Sequence, residues 1–197
     1  MGLDFEHPDG ATPIDANEAE GLIPSLSTQK ELNEFEALNI LEGAAWARRS
    51  TLIKRSLLDQ GNLRLLHKRM FGSTWRWAGK YRLTQKSLGC EAWRISIELK
   101  SFIDDLRYWL EYKTYSHEEI AARCHHRLVW IHPFPNGNGR FARLATELLC
   151  EQNGWPSPSW GASDLTSASE ARQRYISALQ AADRHDHLPL VDFMFST

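Results

Sequence analysis

The sequence predicts a mainly α-helical bundle with one β-hairpin, and three observations carry that prediction. Ser or Thr followed three residues later by Glu, the reciprocal cap of a helix start, occurs at Thr28/Glu31, Ser116/Glu119 and Ser167/Glu170. Apolar residues recur near helical spacing in most long segments, as Leu99, Phe102, Ile103, Leu106, Trp109 and Leu110 do. Only one stretch, residues 82–97, has the short apolar runs around a glycine turn that suit paired strands.

In chain order, residues 1–26 carry Pro8, Gly10, Pro13, Gly21 and Pro24 and read as an arm ordered only by docking. Residues 27–56 form the next unit. Its helix is predicted over 29–49, with Leu32, Phe35, Leu38, Ile40, Leu41, Ala45 and Trp46 as apolar positions. Residues 57–197 form the main domain, beginning with a helix over 57–70. The aromatics and glycines of 71–82 then make a packed corner. Leu83, Thr84, Trp93, Ile95 and Ile97 flank Ser87-Leu88-Gly89 in the expected hairpin, followed by a helix over 98–112. The helix opened by Ser116 runs to about Ile131, where Pro133 and Pro135 stop it. Another begins within Asn138–Arg140 and ends before Asn153-Gly154, and a last one follows Ser167.

Composition excludes several function classes. With 23 Lys plus Arg against 25 Asp plus Glu in 197 residues, the net charge of -2 lacks the basic excess of a general phosphate-backbone binder, so nucleic acid is not an expected partner. No apolar stretch approaches the ~20 residues that span a bilayer. Cys90, Cys124 and Cys150 are too widely spaced for a disulfide framework or a C-x-x-C site. The acidic first residues lack the basic and apolar regions of a signal peptide. The expected location is cytoplasmic, with reduced thiols.

The chemistry concentrates in His132-Pro-Phe-Pro-Asn-Gly-Asn-Gly-Arg-Phe-Ala-Arg143. A histidine follows one helix, and a glycine-rich loop opens a second whose arginines, three apart, occupy neighbouring positions. Unpaired N–H groups behind Gly137, Asn138 and Gly139 suit an anion, and glycine lets a phosphate approach the backbone. Arg140 and Arg143 suit the outer phosphates. His132, ordinarily titrating near 6.5, can accept a proton at neutral pH.

This segment resembles the signature of the Fic (Fido-fold) family, His-Pro-Phe-x-Asp/Glu-Gly-Asn-Gly-Arg-x-x-Arg, at every position but one. The segments Leu66–Phe71, Trp75–Arg82, His125–Val129 and Trp160-Gly161 are similar to its subfamily called mobile mystery protein B. The resemblance implies a protein adenylyltransferase that moves AMP from ATP onto a Ser, Thr or Tyr hydroxyl of a target protein. His132 is then the base, Gly137, Asn138 and Gly139 the anion hole, and Arg140 and Arg143 the phosphate ligands. Phe134 anchors the loop, and the hairpin over 83–97 is the flap that aligns the target. Asn136 stands where the family places the acidic ligand of Mg²⁺, so a weakened metal site is implied. The alternative is a catalytically weak nucleotide-binding interaction module.

The family's inhibitory helices carry a glutamate that pairs with the second signature arginine. Leu41-Glu42-Gly43 fits that motif in part, which makes Glu42 the expected inhibitory residue and Arg143 its partner, the alternative being an ordinary exposed helix glutamate. A homodimer stays open. Cys124, His125 and His126 could suggest a metal, but adjacent histidines point apart on a helix, so structural roles are favoured. His185-Asp186-His187 reads as a polar turn before Pro189, and Trp93 and Tyr175 are candidates for an adenine pocket.

Overall fold

The computed structural model of the chain describes residues 14–162 and 169–195, which form nine α-helices. Helix α1 (Ala16–Ala19) is followed by α2 (Gln29–Arg49), α3 (Thr51–Ser56), α4 (Gln60–Phe71) and α5 (Ile95–Tyr112). Then come α6 (His117–Ile131), α7 (Asn138–Asn153), α8 (Glu170–Ala182) and α9 (Leu188–Phe195). None is long and apolar enough to cross a membrane.

Helix α2 has the predicted bounds because Thr28 Oγ1 accepts from Glu31 N–H at 3.2 Å while Glu31 returns to Thr28 N–H at 3.0 Å. Its buried stripe, however, is Leu32, Glu36, Asn39, Gly43 and Ala47, and Leu38 and Leu41 face outward. Gly43 allows close approach to α4: a β-carbon there would lie 2.7 Å from the Arg69 carbonyl oxygen. The helix expected over 57–70 starts three residues later, since Asp59 accepts from Gly61 N–H at 2.8 Å and Asn62 N–H at 3.2 Å and so caps α4.

The hairpin expected over 83–97 does not form; no strand occurs there among the described residues. Residues 82–91 are loop, Ala92–Arg94 make a 3-10 turn, and Ile95 and Ile97 belong to α5. Ile95 is in phase with Leu99, Phe102, Ile103 and Leu106, so burying that stripe overrides the strand preference of β-branched residues. The expected single last helix is two helices. They are separated by a polar turn in which His185 adopts φ 68°. The Ser167 cap lies outside the described residues; Ser169 Oγ caps α8 by accepting from Arg172 N–H at 3.2 Å.

One core is built by α2, α4, α5, α6 and α7, with Phe71, Trp75, Phe102, Phe134 and Phe141 almost fully enclosed. A second, between α6, α8 and α9, contains Tyr175, Leu190, Phe193 and Met194. Residues 14–26 dock on the corner after α4. Ile23 N–H bonds Thr74 C=O, Arg76 N–H bonds Gly21 C=O, and Trp77 Nε1 donates to Glu18 C=O at 3.0 Å.

Candidate active site

The site lies where α6 ends and α7 begins. Pro133 disfavours the right-handed helical region for the residue before it, and His132 closes α6 in the left-handed region, φ 52° and ψ 59°, its N–H bonding Leu128 C=O. For a residue with a β-carbon that conformation costs roughly 1–2 kcal/mol, so the surroundings must hold it.

They hold it through the loop. Phe134 is buried, stacks on His67 with centroids 3.7 Å apart and meets Phe141 edge-on at 5.1 Å. Its N–H donates to Asn138 Oδ1 at 2.9 Å and its C=O accepts from Asn138 Nδ2 at 2.8 Å. The Asn138 side chain, 2% exposed, is therefore committed to the loop, which leaves its backbone N–H as the group Asn138 offers at the start of α7. Gly137 caps α7 at φ 77°, with the Phe71 ring 2.7 Å from where a β-carbon would stand. A side chain is excluded there twice, by conformation and by space.

Burial holds His67 far below its ordinary pKa, at about 3, so it is neutral. Its Nδ1 accepts from Gly79 N–H at 3.0 Å, which assigns the proton to Nε2 and makes the 3.1 Å contact to Asn136 C=O a donated hydrogen bond. Sequence reading missed His67 as a support of the site. The signal was a histidine in phase with buried Leu63, Leu66 and Met70 on α4.

His132 is 7% exposed, and burial, followed by the positive charges of Arg82 and Lys86, lowers its pKa to about 4. It is a neutral imidazole at pH 7, able to take a proton. The N-cap of α7 is Gly137, which has no side chain to cap the first-turn amides from Asn138 to Arg140. Gly139 beside them is open: the nearest atom to a β-carbon would be Tyr175 Oη at 4.0 Å.

The arginines differ. Arg140 Nη1 pairs with Glu36 Oε2 at 2.6 Å, and the guanidinium lies over the Phe71 ring at 4.9 Å. Glu36, 6% exposed, also accepts from Trp75 Nε1 at 2.6 Å. Arg143 is half-buried, its pKa lowered by burial, and among the described residues no carboxylate lies within ion-pairing distance. Glu42, expected to pair with Arg143, is instead exposed. The expectation phased α2 on Leu38 and Leu41, whereas its buried stripe places Glu36 inward and Gly43 against α4.

Asn136 Oδ1 accepts from Gly137 N–H at 2.6 Å and lies 3.5 Å from Arg140 Nη2. An uncharged oxygen already bonded, with a guanidinium beside it, does not suit a hard divalent cation. Among the described residues no three His, Cys, Asp or Glu side chains are grouped to hold a metal. His125 Nε2 meets Tyr175 Oη at 2.8 Å, and His126 Nε2 meets Asp183 at 2.8 Å, which agrees with structural roles. Tyr175 is buried beside Gly139, whereas Trp93 is 72% exposed on the 3-10 turn.

Residues 57–150 match the Fic/DOC family model. The chain is 26% identical over 170 residues to the protein adenylyltransferase Fic of Aedes aegypti, covering 84% of this chain and 33% of that protein. The chain thus spans about a third of the length of such curated relatives. A solved structure of Fic-1 (residues 134–508) from C. elegans superposes with TM-score 0.62 at 28% identity, covering 90% of this chain and 51% of that one. The Bartonella tribocorum effector BepC, solved with bound AMPPNP, shares the fold with TM-score 0.65 at 23% identity, covering 86% and 87%.

Proposed function

We propose that this chain, whose residues 57–150 match the Fic/DOC family model, is a Fic-type protein adenylyltransferase that transfers AMP from ATP to a hydroxyl of a target protein. The observation that carries it is a buried neutral His132 ending α6, one loop away from the uncapped start of α7 with Gly139 and Arg143 on it. The names of the relatives and the nucleotide in the BepC structure support the same reading.

His132 takes the proton from the attacking hydroxyl, and the oxygen forms a bond to the α-phosphorus as pyrophosphate leaves. The amides of the first turn of α7 and the guanidinium of Arg143 stabilise the negative charge on the phosphates. Asn136 supplies a loop hydrogen bond, and no step is assigned to a metal. The three buried cysteines are free, which supports a cytoplasmic setting. The segments that resemble mobile mystery protein B support membership of that subfamily.

The α2 helix restrains the enzyme through Glu36, which takes up the charge of Arg140 that a phosphate would otherwise meet. The test is intact-mass measurement after incubation with ATP and Mg²⁺, using the natural chain, E36Q and E36Q/H132A. An AMP adduct in E36Q that disappears with H132A supports the proposal; no adduct in any of them, with ATP bound, overturns it. Asn136 at the acidic position of the signature favours the second reading, a nucleotide-binding module. That reading prevails if an adduct forms only after N136D.

A further inference from the structure

Arg82 is 2% exposed, and among the described residues no carboxylate pairs with it. Its guanidinium is spent on backbone carbonyls. Nε donates to His132 C=O at 2.7 Å, Nη1 to Thr84 C=O at 3.0 Å, and Nη2 to Cys90 C=O and, at 3.5 Å, to Ile131 C=O. The Arg82 N–H bonds Pro133 C=O at 2.9 Å. Two of these acceptors belong to the end of α6 and two to the ends of the loop that follows Arg82.

Carbonyls at a helix C-terminus lack intrahelical donors and carry partial negative charge, so a cation there is favourable. Only the planar fork of arginine reaches several acceptors in fixed directions; a lysine ammonium has three donors on one atom. The loop meets the same point from the other side. Gly89 adopts φ 99°, and a β-carbon there would fall 2.5 Å from His132 Cβ, 2.8 Å from Arg82 Nη2 and 3.2 Å from Ile131 C=O. The loop thus rests directly on the proton acceptor of the proposed reaction.

We propose that Arg82 is a positioning residue whose guanidinium fastens the 83–91 loop to the end of α6, so that the loop and His132 form one rigid body. This rests on the transferase reading for its consequence, alignment of a target hydroxyl with His132, but its geometry is independent of it. The charged groups facing His132 are Arg82 and Lys86. Lys86 is itself neutralised by Asp15 at 3.1 Å and Glu18 at 2.7 Å from α1. Arg82 therefore remains as the cation without a described carboxylate partner beside the imidazole.

The test uses R82Q and R82K in the full chain, with NMR order parameters of residues 83–91 and NMR titration of His132 as readouts that need no activity. In R82Q, order parameters fall from rigid values near ~0.85 to below about 0.6, and the His132 midpoint rises toward its ordinary value. R82K keeps the charge and the low midpoint without restoring the rigid loop. Self-AMPylation turnover in R82Q falls about 100-fold with half-saturating ATP unchanged, because the base and not the nucleotide is displaced. A folded R82Q with an unchanged loop and midpoint overturns the proposal. If R82Q does not fold, R82K and G89A decide: loosening of 83–91 in both sustains it, and a rigid loop in both refutes it. If neither the natural chain nor E36Q transfers AMP with ATP bound, the transferase reading fails while order parameters and titration still settle the role of Arg82.

Discussion

Glu36 and Arg140 lie 104 positions apart in the chain and meet at 2.6 Å, with the carboxylate buried under α2 and its second oxygen on Trp75 Nε1. Both oxygens are thereby used, one on each partner. E36Q preserves an acceptor for Trp75 while removing the charge. Isothermal titration is expected to show ATP binding about tenfold tighter in E36Q, and E42G, altering an exposed residue, is expected to leave it unchanged. E36A is expected to cost about 1–3 kcal/mol in chemical denaturation, because it removes the buried acceptor shared by Trp75 Nε1 and the half-buried Arg140 guanidinium.

Gly137 and Gly139 stand two residues apart and serve different ends. G137A forces a β-carbon onto the Phe71 ring at φ 77° and is expected to lower the melting temperature by several degrees. In G139A the nearest atom is 4.0 Å away, so the fold is unstrained. Its melting temperature should match the natural chain while ATP binding weakens, the methyl group standing where a phosphate meets the helix start. Equal melting losses in the two would contradict this division.

His67 joins the corner after α4 to the signature loop. H67A leaves Gly79 N–H and Asn136 C=O without this partner, each costing about 1–3 kcal/mol if buried. H67Q, with an amide that both donates and accepts, is expected to recover part of the loss. Urea denaturation of the pair checks it, an H67A midpoint equal to the natural one being the adverse result.

Acid should destabilise the protein well before its carboxylates titrate. Burial lowers His67 and His125 to about 3 and His132 to about 4, while each titrates near 6.5 when unfolded. Between those values the unfolded chain binds protons that the folded chain does not. Stability is therefore whole above pH 6.5 and falls as pH drops toward 4. Removing one such group, as in H67Q, should shallow the slope by up to about 1.4 kcal/mol per pH unit. Thermal melts from pH 8 to 4 read this directly; a melting temperature constant down to pH 5 would exclude it.

Much of the fold was legible because local chemistry dictated it. Thr28 with Glu31 set the start of α2, Ser116 that of α6, and Pro133 the end of α6, each through hydrogen bonds or sterics within a few residues. The signature loop was legible for the same reason: glycines, prolines, His132 and the arginines lie in one short segment, and their spacing alone places them at a helix start.

What the sequence determined by itself was therefore the helical class, most helix ends and the position of the candidate segment at a helix start. Tertiary structure decided which carboxylate reaches that segment, that Ile95 and Ile97 join a helix, and that Arg82, His67 and Gly89 support His132. A helix of 21 residues can be phased on more than one apolar stripe, and only packing against α4 selects the stripe that turns Glu36 inward and Glu42 outward. Side chains that act on backbone groups 50 or more positions away, as Arg82 and His67 do, leave no local pattern, because their partners are carbonyls every residue carries.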